Sequence, residues 1–296
     1  MANFDDLLNN GSAESPGGPL SKDEYAAKKR AEREDIFNLS DDMAMEVSFD
    51  SEKYQQFLDT QSHFDRYSAV NALLILAQKP EAQRLGDFEY WKNQGGYIRP
   101  KQTAISILEP QAYVKEDGTP GTGYNVKKVF DISQVDVRKM RTVSTPAASF
   151  TERQLLSALI SRAPVRITGV DDLPGGLGAV TDPKTGEISV RKGMEFAETF
   201  SGVARELFRA ELTTGPETQI DADFASNSAS YLLCKKYGVD TRNFDFSDAP
   251  SAFESLNARE IKTELSRIRD VAEIMSGRMA RQLDARSKPE RKQEAR

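Results

Sequence analysis

The chain has 296 residues, 38% of them hydrophobic and 29% charged, with a formal net charge of −6; that length suits one large domain or two modest ones with a packed core. Its single cysteine, Cys234, excludes an intramolecular disulfide, and no stretch approaches the roughly 20 apolar residues that span a bilayer. Basic and acidic residues number 5 and 12 over 1–50, 13 and 11 over 51–142, 11 and 15 over 143–250, and 11 and 8 over 251–296, so no segment announces a nucleic-acid binder by charge alone. The first residues, Met1, Ala2, Asn3, Phe4, Asp5 and Asp6, carry no basic-then-apolar pattern, and with the cysteine usage they lead to the expectation of a cytoplasmic protein without a membrane partner.

In chain order, residues 1–21 hold few large apolar groups and are expected to be disordered, because little burial offsets their ordering entropy. A charged helix follows over 22–36, capped by Ser21, with a thin apolar stripe. From Glu52, Tyr54, Phe57, Leu58 and Gln61 fall at helical spacing, continued by Phe64, Tyr67, Val70, Leu73, Leu74 and Ala77, which predicts one helix stopped by Pro80. Gly86, Gly95, Gly96 and Pro100 punctuate a short stretch around Trp91. Alternation predicts a strand over 103–108 ending at Pro110, a turn at 117–121 and a second strand over 124–130. Residues 141–150 read as a linker. Beyond it come a helix over 151–162, strands at 165–167 and 188–190 joined by a glycine-rich excursion, and a helix carrying Phe196, Phe200, Val203, Leu207 and Phe208. A helix over 220–237 is closed by Gly238, and a long charged helix covers 255–283.

Two constellations carry chemistry. In the first, Phe64, Tyr67, Ser68, Asn71 and Gln78 precede Trp91, Tyr97, Arg99 and Lys101. Aromatic rings beside cations are what a single strand needs, since bases stack on rings while cations hold phosphates. The competing reading makes Phe64, Tyr67 and Trp91 core residues, as aromatics mostly are. In the second, Arg205-Glu206-Leu207-Phe208-Arg209 follows the 188–190 strand, and Asp223 and Asn227 lie on the next helix.

The order Phe64-x-x-Tyr67-Ser68-x-x-Asn71-x-Leu73-Leu74-Ile75-x-x-Gln78-x-Pro80, then Gly86-x-Phe88-x-x-Trp91, Gly96-x-x-Arg99 and Ile105-x-Ile107-Leu108-x-Pro110 resembles the N-terminal domain of ArdC-type antirestriction proteins of plasmids, other mobile elements and phages. The resemblance covers about residues 50–140. It implies an α+β fold: an ArdC-like α+β domain, followed by a mostly helical zincin-like domain with a small sheet. It also implies single-stranded DNA binding, for which Tyr67, Ser68, Asn71, Gln78, Trp91, Tyr97, Arg99 and Lys101 are the candidate contacts. The family's glycine in the turn after the arginine is missing from Pro100-Lys101-Gln102-Thr103-Ala104.

In the resembling family, the second constellation is the metal-binding His-Glu-x-x-His helix with a third, carboxylate ligand on the next helix. Here Glu206 is kept, Arg205 and Arg209 stand at the two ligand positions, and Asn227 stands at the third, with Asp223 one turn earlier. Elementary chemistry agrees. Catalytic zinc takes about three protein ligands rich in His or Cys. The chain holds one histidine, His63, and one cysteine, and arginine offers a metal no lone pair. No metal, cofactor or zinc catalysis is therefore expected. Arg205 and Arg209 are expected to pair with Glu206, Asp223 or Asn227, or to form a fork for phosphate or carboxylate. The run Pro174-Gly175-Gly176-Leu177-Gly178 lacks the Lys-Ser/Thr ending of a phosphate loop and reads as a mobile loop.

The expected organisation is an acidic leader with a charged helix at 1–50, a single-stranded-DNA-binding domain at 51–142, a degenerate zincin-like domain at 143–250 and a charged helix with a basic tail at 251–296. The expected role is that of a DNA-binding accessory protein of a mobile element or phage, acting in antirestriction or DNA protection. The alternative is a protein–protein module that engages a host-defence or DNA-processing partner through the acidic leader and second domain. An enzyme built on Glu206 without zinc ranks last, for want of a base, nucleophile or metal set.

Overall fold

The structure, a computed structural model, describes residues 21–115, 117–138, 140, 150–214 and 218–287. Leader residues 1–20, linker residues 141–149 and tail residues 288–296 lie outside the described residues.

Helix α1 (Lys22–Phe49) opens on a capping box, in which the Ser21 hydroxyl accepts from the Glu24 amide at 3.2 Å and Glu24 accepts from the Ser21 amide at 2.8 Å. It runs well past residue 36, because Ile36, Ser40, Met43, Ala44 and Val47 continue a helical stripe and bury it. The single helix expected from Glu52 to Pro80 is instead two. Asp50 caps α2 (Ser51–His63) through the amides of Glu52 and Lys53. The chain then leaves the helix at Phe64 and restarts behind Ser68, whose hydroxyl accepts from the Asn71 amide at 3.2 Å, to form α3 (Ala69–Gln78). Serine serves better as a cap than in a helix interior. The break also sends Phe64 into a cluster with Ile75, Ile105, Ile107 and Val129, while Phe57 and Leu58 enter the main core. Tyr67 therefore precedes the α3 cap and does not share a helical face with Asn71 and Gln78.

Next come β1 (Leu85–Gly86), α4 (Phe88–Asn93), β2 (Tyr97–Ile98), β3 (Ile105–Val114), β4 (Pro120–Asp131) and β5 (Val135–Asp136). Strands β3 and β4 form a long antiparallel hairpin registered from Ile105 opposite Val129 to Val114 opposite Pro120; β1 pairs with the far side of β4, and β2 with β5. Strand β3 does not stop at Pro110, because it is an edge strand in the order β1-β4-β3, where a missing N–H leaves no partner unserved. Its free edge is covered by side chains. Asn71 donates to the Leu108 carbonyl at 2.9 Å and accepts from the Leu108 amide at 2.8 Å; Gln78 does the same for Ser106, both at 2.9 Å. Two carboxamides seven residues apart on α3 thus clamp the helix to the strand and close an edge that would otherwise invite pairing.

The second half contains α5 (Glu152–Ile160), β6 (Ile167–Val170), β7 (Ala179–Thr181), β8 (Ile188–Arg191), α6 (Phe196–Thr214), α7 (Ala222–Tyr237), α8 (Ala249–Ala252) and α9 (Ala258–Ser287). The sheet order is β6-β8-β7, with β6 parallel and β7 antiparallel to β8. Strand β7 lies inside the glycine-rich excursion, where no strand was expected; three residues are too few to show alternation. Gly238, at φ 69°, closes α7 in the left-handed conformation.

The architecture is α+β, and its largest core cluster joins α1–α3 to the second half. Tyr54 is its hub: fully buried, it donates to the Ser228 hydroxyl at 2.8 Å, with the rings of Phe224, Phe246 and Phe253 centred 5.2 to 5.6 Å away. No helix among the described residues is long and apolar enough to cross a membrane.

Replacing Asn71 by Ala strands the Leu108 amide and carbonyl beneath α3. Urea unfolding is expected to show a loss of about 2–4 kcal/mol, since each buried unsatisfied group costs about 1–3 kcal/mol. The same change at Gln78, which is only partly buried, costs less; an unchanged midpoint for Asn71→Ala would refute the clamp.

Candidate functional site

The first candidate site is a groove of about 520 Å³ where the start of α3 meets α4 and the hairpin, lined among others by Arg66, Tyr67, Ser68, Tyr90, Lys127 and Arg269. Tyr67 is half-buried, and burial pushes its hydroxyl pKa upward. The Tyr90 ring lies on Gly86, where an added Cβ would stand 2.1 Å from ring carbon Cδ1. Asp87 caps α4 by accepting from the Tyr90 amide at 2.8 Å, and this bond holds the Asp87 carboxyl below its ordinary range. Lys127 is spent on Asp87 at 3.3 Å and Glu109 at 2.9 Å, and Arg269 on Asp270 at 2.9 Å and Glu273 at 2.7 Å. Arg66 is exposed and, among the described residues, makes no hydrogen bond or ion pair. The groove thus offers two tyrosine rings and one uncommitted guanidinium.

The structure divides the eight sequence candidates. Tyr67, Ser68 and Asn71 line this groove, but Ser68 is a cap and Asn71 is the strand clamp. Gln78 is the second clamp, not a surface contact. Trp91 is corrected outright: it is 0% exposed, donates from Nε1 to the Phe130 carbonyl at 2.9 Å and is covered by the Arg84 guanidinium 5.1 Å from its ring. Its burial leaves no face for a base. Tyr97, Arg99 and Lys101 sit apart on β2 and the following turn. Tyr97 is 59% exposed, whereas Arg99 donates to the carbonyls of Ser133 at 3.2 Å and Val135 at 3.1 Å and so secures β5. Lys101 adopts φ 61°, a left-handed conformation that glycine takes more readily. Sequence reasoning passed over Tyr90 and Arg66. Both lie inside the motifs already quoted, and the capping position of Asp87 is the signal that orients the short α4.

The second candidate site centres on α6 and α7. These helices are antiparallel: Ser230 donates to the Ser201 carbonyl at 3.0 Å near one end, and Arg209 pairs with Asp223 near the other. Glu206 is 3% exposed and accepts from the Thr181 amide at 3.1 Å and the Thr181 hydroxyl at 2.7 Å, tying α6 to β7. Arg205 Nε lies 4.0 Å and Arg209 Nε 3.9 Å from the same carboxylate. Asn227 donates to the Asp245 carbonyl at 3.3 Å. Arg205 and Asn227 line a cleft of about 270 Å³ together with Arg191, Gly176 and Gly178, so part of the glycine run forms a wall of that cleft. Cys234 is buried, and burial pushes its thiol up to about 12, which removes it as a nucleophile.

This α+β fold is similar to that of solved structures of the ArdC antirestriction protein from plasmid R388. The metal-free structure is 15% identical at a TM-score of 0.50, covering 73% of this chain and 86% of that one. The Mn(II)-bound structure is 15% identical at 0.52, covering 72% and 85%. No family model matches the chain, and no curated protein matches it. The likeness is one of fold.

The residues present do not fit a divalent cation. Arg205 and Arg209 are permanently cationic, Asn227 directs its amide nitrogen to Asp245, Glu206 is taken by Thr181 and Asp223 by Arg209. Among the described residues no group of three His, Cys, Asp or Glu side chains is placed to hold a metal.

Breaking a buried ion pair costs about 3–5 kcal/mol, while exposed pairs contribute about 0–1 kcal/mol. Glu206→Ala is therefore expected to lower unfolding stability by about 3 kcal/mol. Asp223→Ala, which removes the half-exposed partner of Arg209, should cost less than about 1 kcal/mol. Equal effects in thermal or urea unfolding would show that Glu206 is not the anchor.

Proposed function

We propose that this chain is an antirestriction-type accessory protein of a mobile element or phage, that it binds single-stranded DNA through the groove at Tyr67, Tyr90 and Arg66, and that its second half is a metallopeptidase-like frame without metal catalysis. The observation that carries the DNA reading is the groove itself: two aromatic rings beside an uncommitted guanidinium, on a fold shared with an antirestriction protein. Stacking on rings is sequence-tolerant because every base has a π face, and arginine adds phosphate and cation–π contacts. Tyr97 and Lys101 extend the candidate surface along β2, while Trp91, Asn71 and Gln78 act by holding the groove in shape. The division into a DNA-binding segment at 51–142 and a degenerate zincin-like segment at 143–250 is retained as part of this proposal. The non-catalytic reading of the second half is supported by the arginines at the two ligand positions and by a glutamate turned to the sheet.

Fluorescence anisotropy with labelled single- and double-stranded oligonucleotides across a salt series tests this reading. Single strands are expected to bind with affinity that falls as salt rises. Tyr67→Ala and Tyr90→Ala should each weaken binding by about tenfold, as about 1–3 kcal/mol per stacked base implies, and Arg66→Gln should weaken binding and flatten the salt slope. Absence of single-strand binding at low salt would overturn the proposal.

A further inference from the structure

The cleft in front of α6 and α7 is lined by two guanidiniums that make no close hydrogen bond among the described residues. Arg191 comes from the end of β8 and Arg205 from the middle of α6, and both line the cavity of about 270 Å³. Among the described residues the Arg191 guanidinium has no hydrogen-bond or ion-pair partner, and its Nε is buried without an acceptor. Arg205 has an acidic neighbour only at 4.0 Å, Glu206, whose carboxylate is already engaged by Thr181. A buried charged donor without an acceptor is costly, so the unsatisfied Arg191 Nε with the Arg205 guanidinium beside the same cavity favours an incoming oxyanion.

The remaining charges narrow the class. Asp240 lines the cleft but is held by Arg242, whose Nε lies 2.8 Å from it. Glu198 also lines it, and is exposed. That carboxylate weakens the pull on any anion, but two guanidiniums outweigh it, and their attraction grows with the charge the ligand brings. A phosphate monoester carries about −1.5 to −2 at neutral pH, a carboxylate only one. Guanidinium forks match phosphate oxygens in pairs. The volume lies at the lower bound of the roughly 300–1,000 Å³ typical of small-molecule sites, which suits a small ester rather than a polymer. Asn243 and Phe244, which also line the cleft, supply an amide and an apolar ring for the organic part.

We propose that this cleft binds the phosphoryl group of a small phosphate, either inorganic phosphate or a mononucleotide-sized monoester, with Arg191 and Arg205 as its paired donors. Isothermal titration of the full chain with inorganic phosphate, deoxyadenosine monophosphate and deoxyadenosine, in chloride buffer at constant ionic strength, tests it. Both phosphates are expected to bind saturably with one site per chain, and deoxyadenosine not at all. Tighter binding of the monophosphate identifies an ester as the ligand, and equal binding identifies phosphate itself. Arg191→Gln and Arg205→Gln should each weaken binding by about tenfold or more, the equivalent of one lost charged hydrogen bond. Lys192→Gln, a change at an exposed neighbour paired with Asp171 at 2.9 Å, should leave it unchanged, and melting curves without ligand establish that each variant is folded. No saturable binding of either phosphate, or unaltered affinity in both arginine variants that fold, would overturn the proposal.

Discussion

A carboxylate taken out of water must be given donors, and the second half of this molecule is arranged around one that has them. Glu206 sits on α6 beneath the sheet, receives two hydrogen bonds from Thr181 and has the guanidiniums of its neighbour Arg205 and of Arg209, about one turn on, within 4.0 Å. That contact sets the distance between α6 and β7. Arg209 then reaches α7 through Asp223, and Ser230 closes the other end of the helix pair. A buried pair of this kind is weak evidence of extra stability but strong evidence of a fixed arrangement, because removing one member leaves the other uncompensated. In this chain charge and hydrogen bonding join the two helices. Arg205 also lines the cleft with Arg191, so the charge that disfavours a cation there suits an anion.

The first half obeys a different constraint. A hairpin with a free edge needs that edge covered, and α3 covers it with the carboxamides of Asn71 and Gln78. The polar residues of the motif are therefore structural: Ser68 and Asn71 line the groove, but as a cap and a clamp. Tyr54, reaching from α2 to Ser228 on α7, carries this rigidity into the second half through the common core.

Much of the secondary structure is legible in the residues themselves, because apolar spacing and caps act locally. Ser21, Thr151 and Gly238 mark ends, and the stripe through Phe200, Val203, Leu207 and Phe208 marks a helix buried against a sheet. The break between α2 and α3 is concealed because the apolar pattern continues across it; only the capping preference of Ser68 betrays it. Strand β7 is concealed because three residues have no period. The site is harder to read than the fold. Asn71 and Trp91 look like surface contacts in a motif, since spacing does not say whether an amide or an indole N–H meets a strand or a ligand. Arg191 is invisible as a site residue for the same reason: nothing near it in sequence shows that the chain brings Arg205 beside the same cavity.

The claim that charge pairing joins α6, α7 and the sheet without a metal is tested most directly by elemental analysis of the purified chain, combined with thermal unfolding before and after EDTA and with added Mn(II) or Zn(II). A frame held by Glu206, Thr181 and the two arginines predicts no stoichiometric transition metal and the same melting temperature in every condition, because nothing that binds the native state has been added or removed. A stoichiometric metal whose removal by EDTA lowers the melting temperature would contradict it.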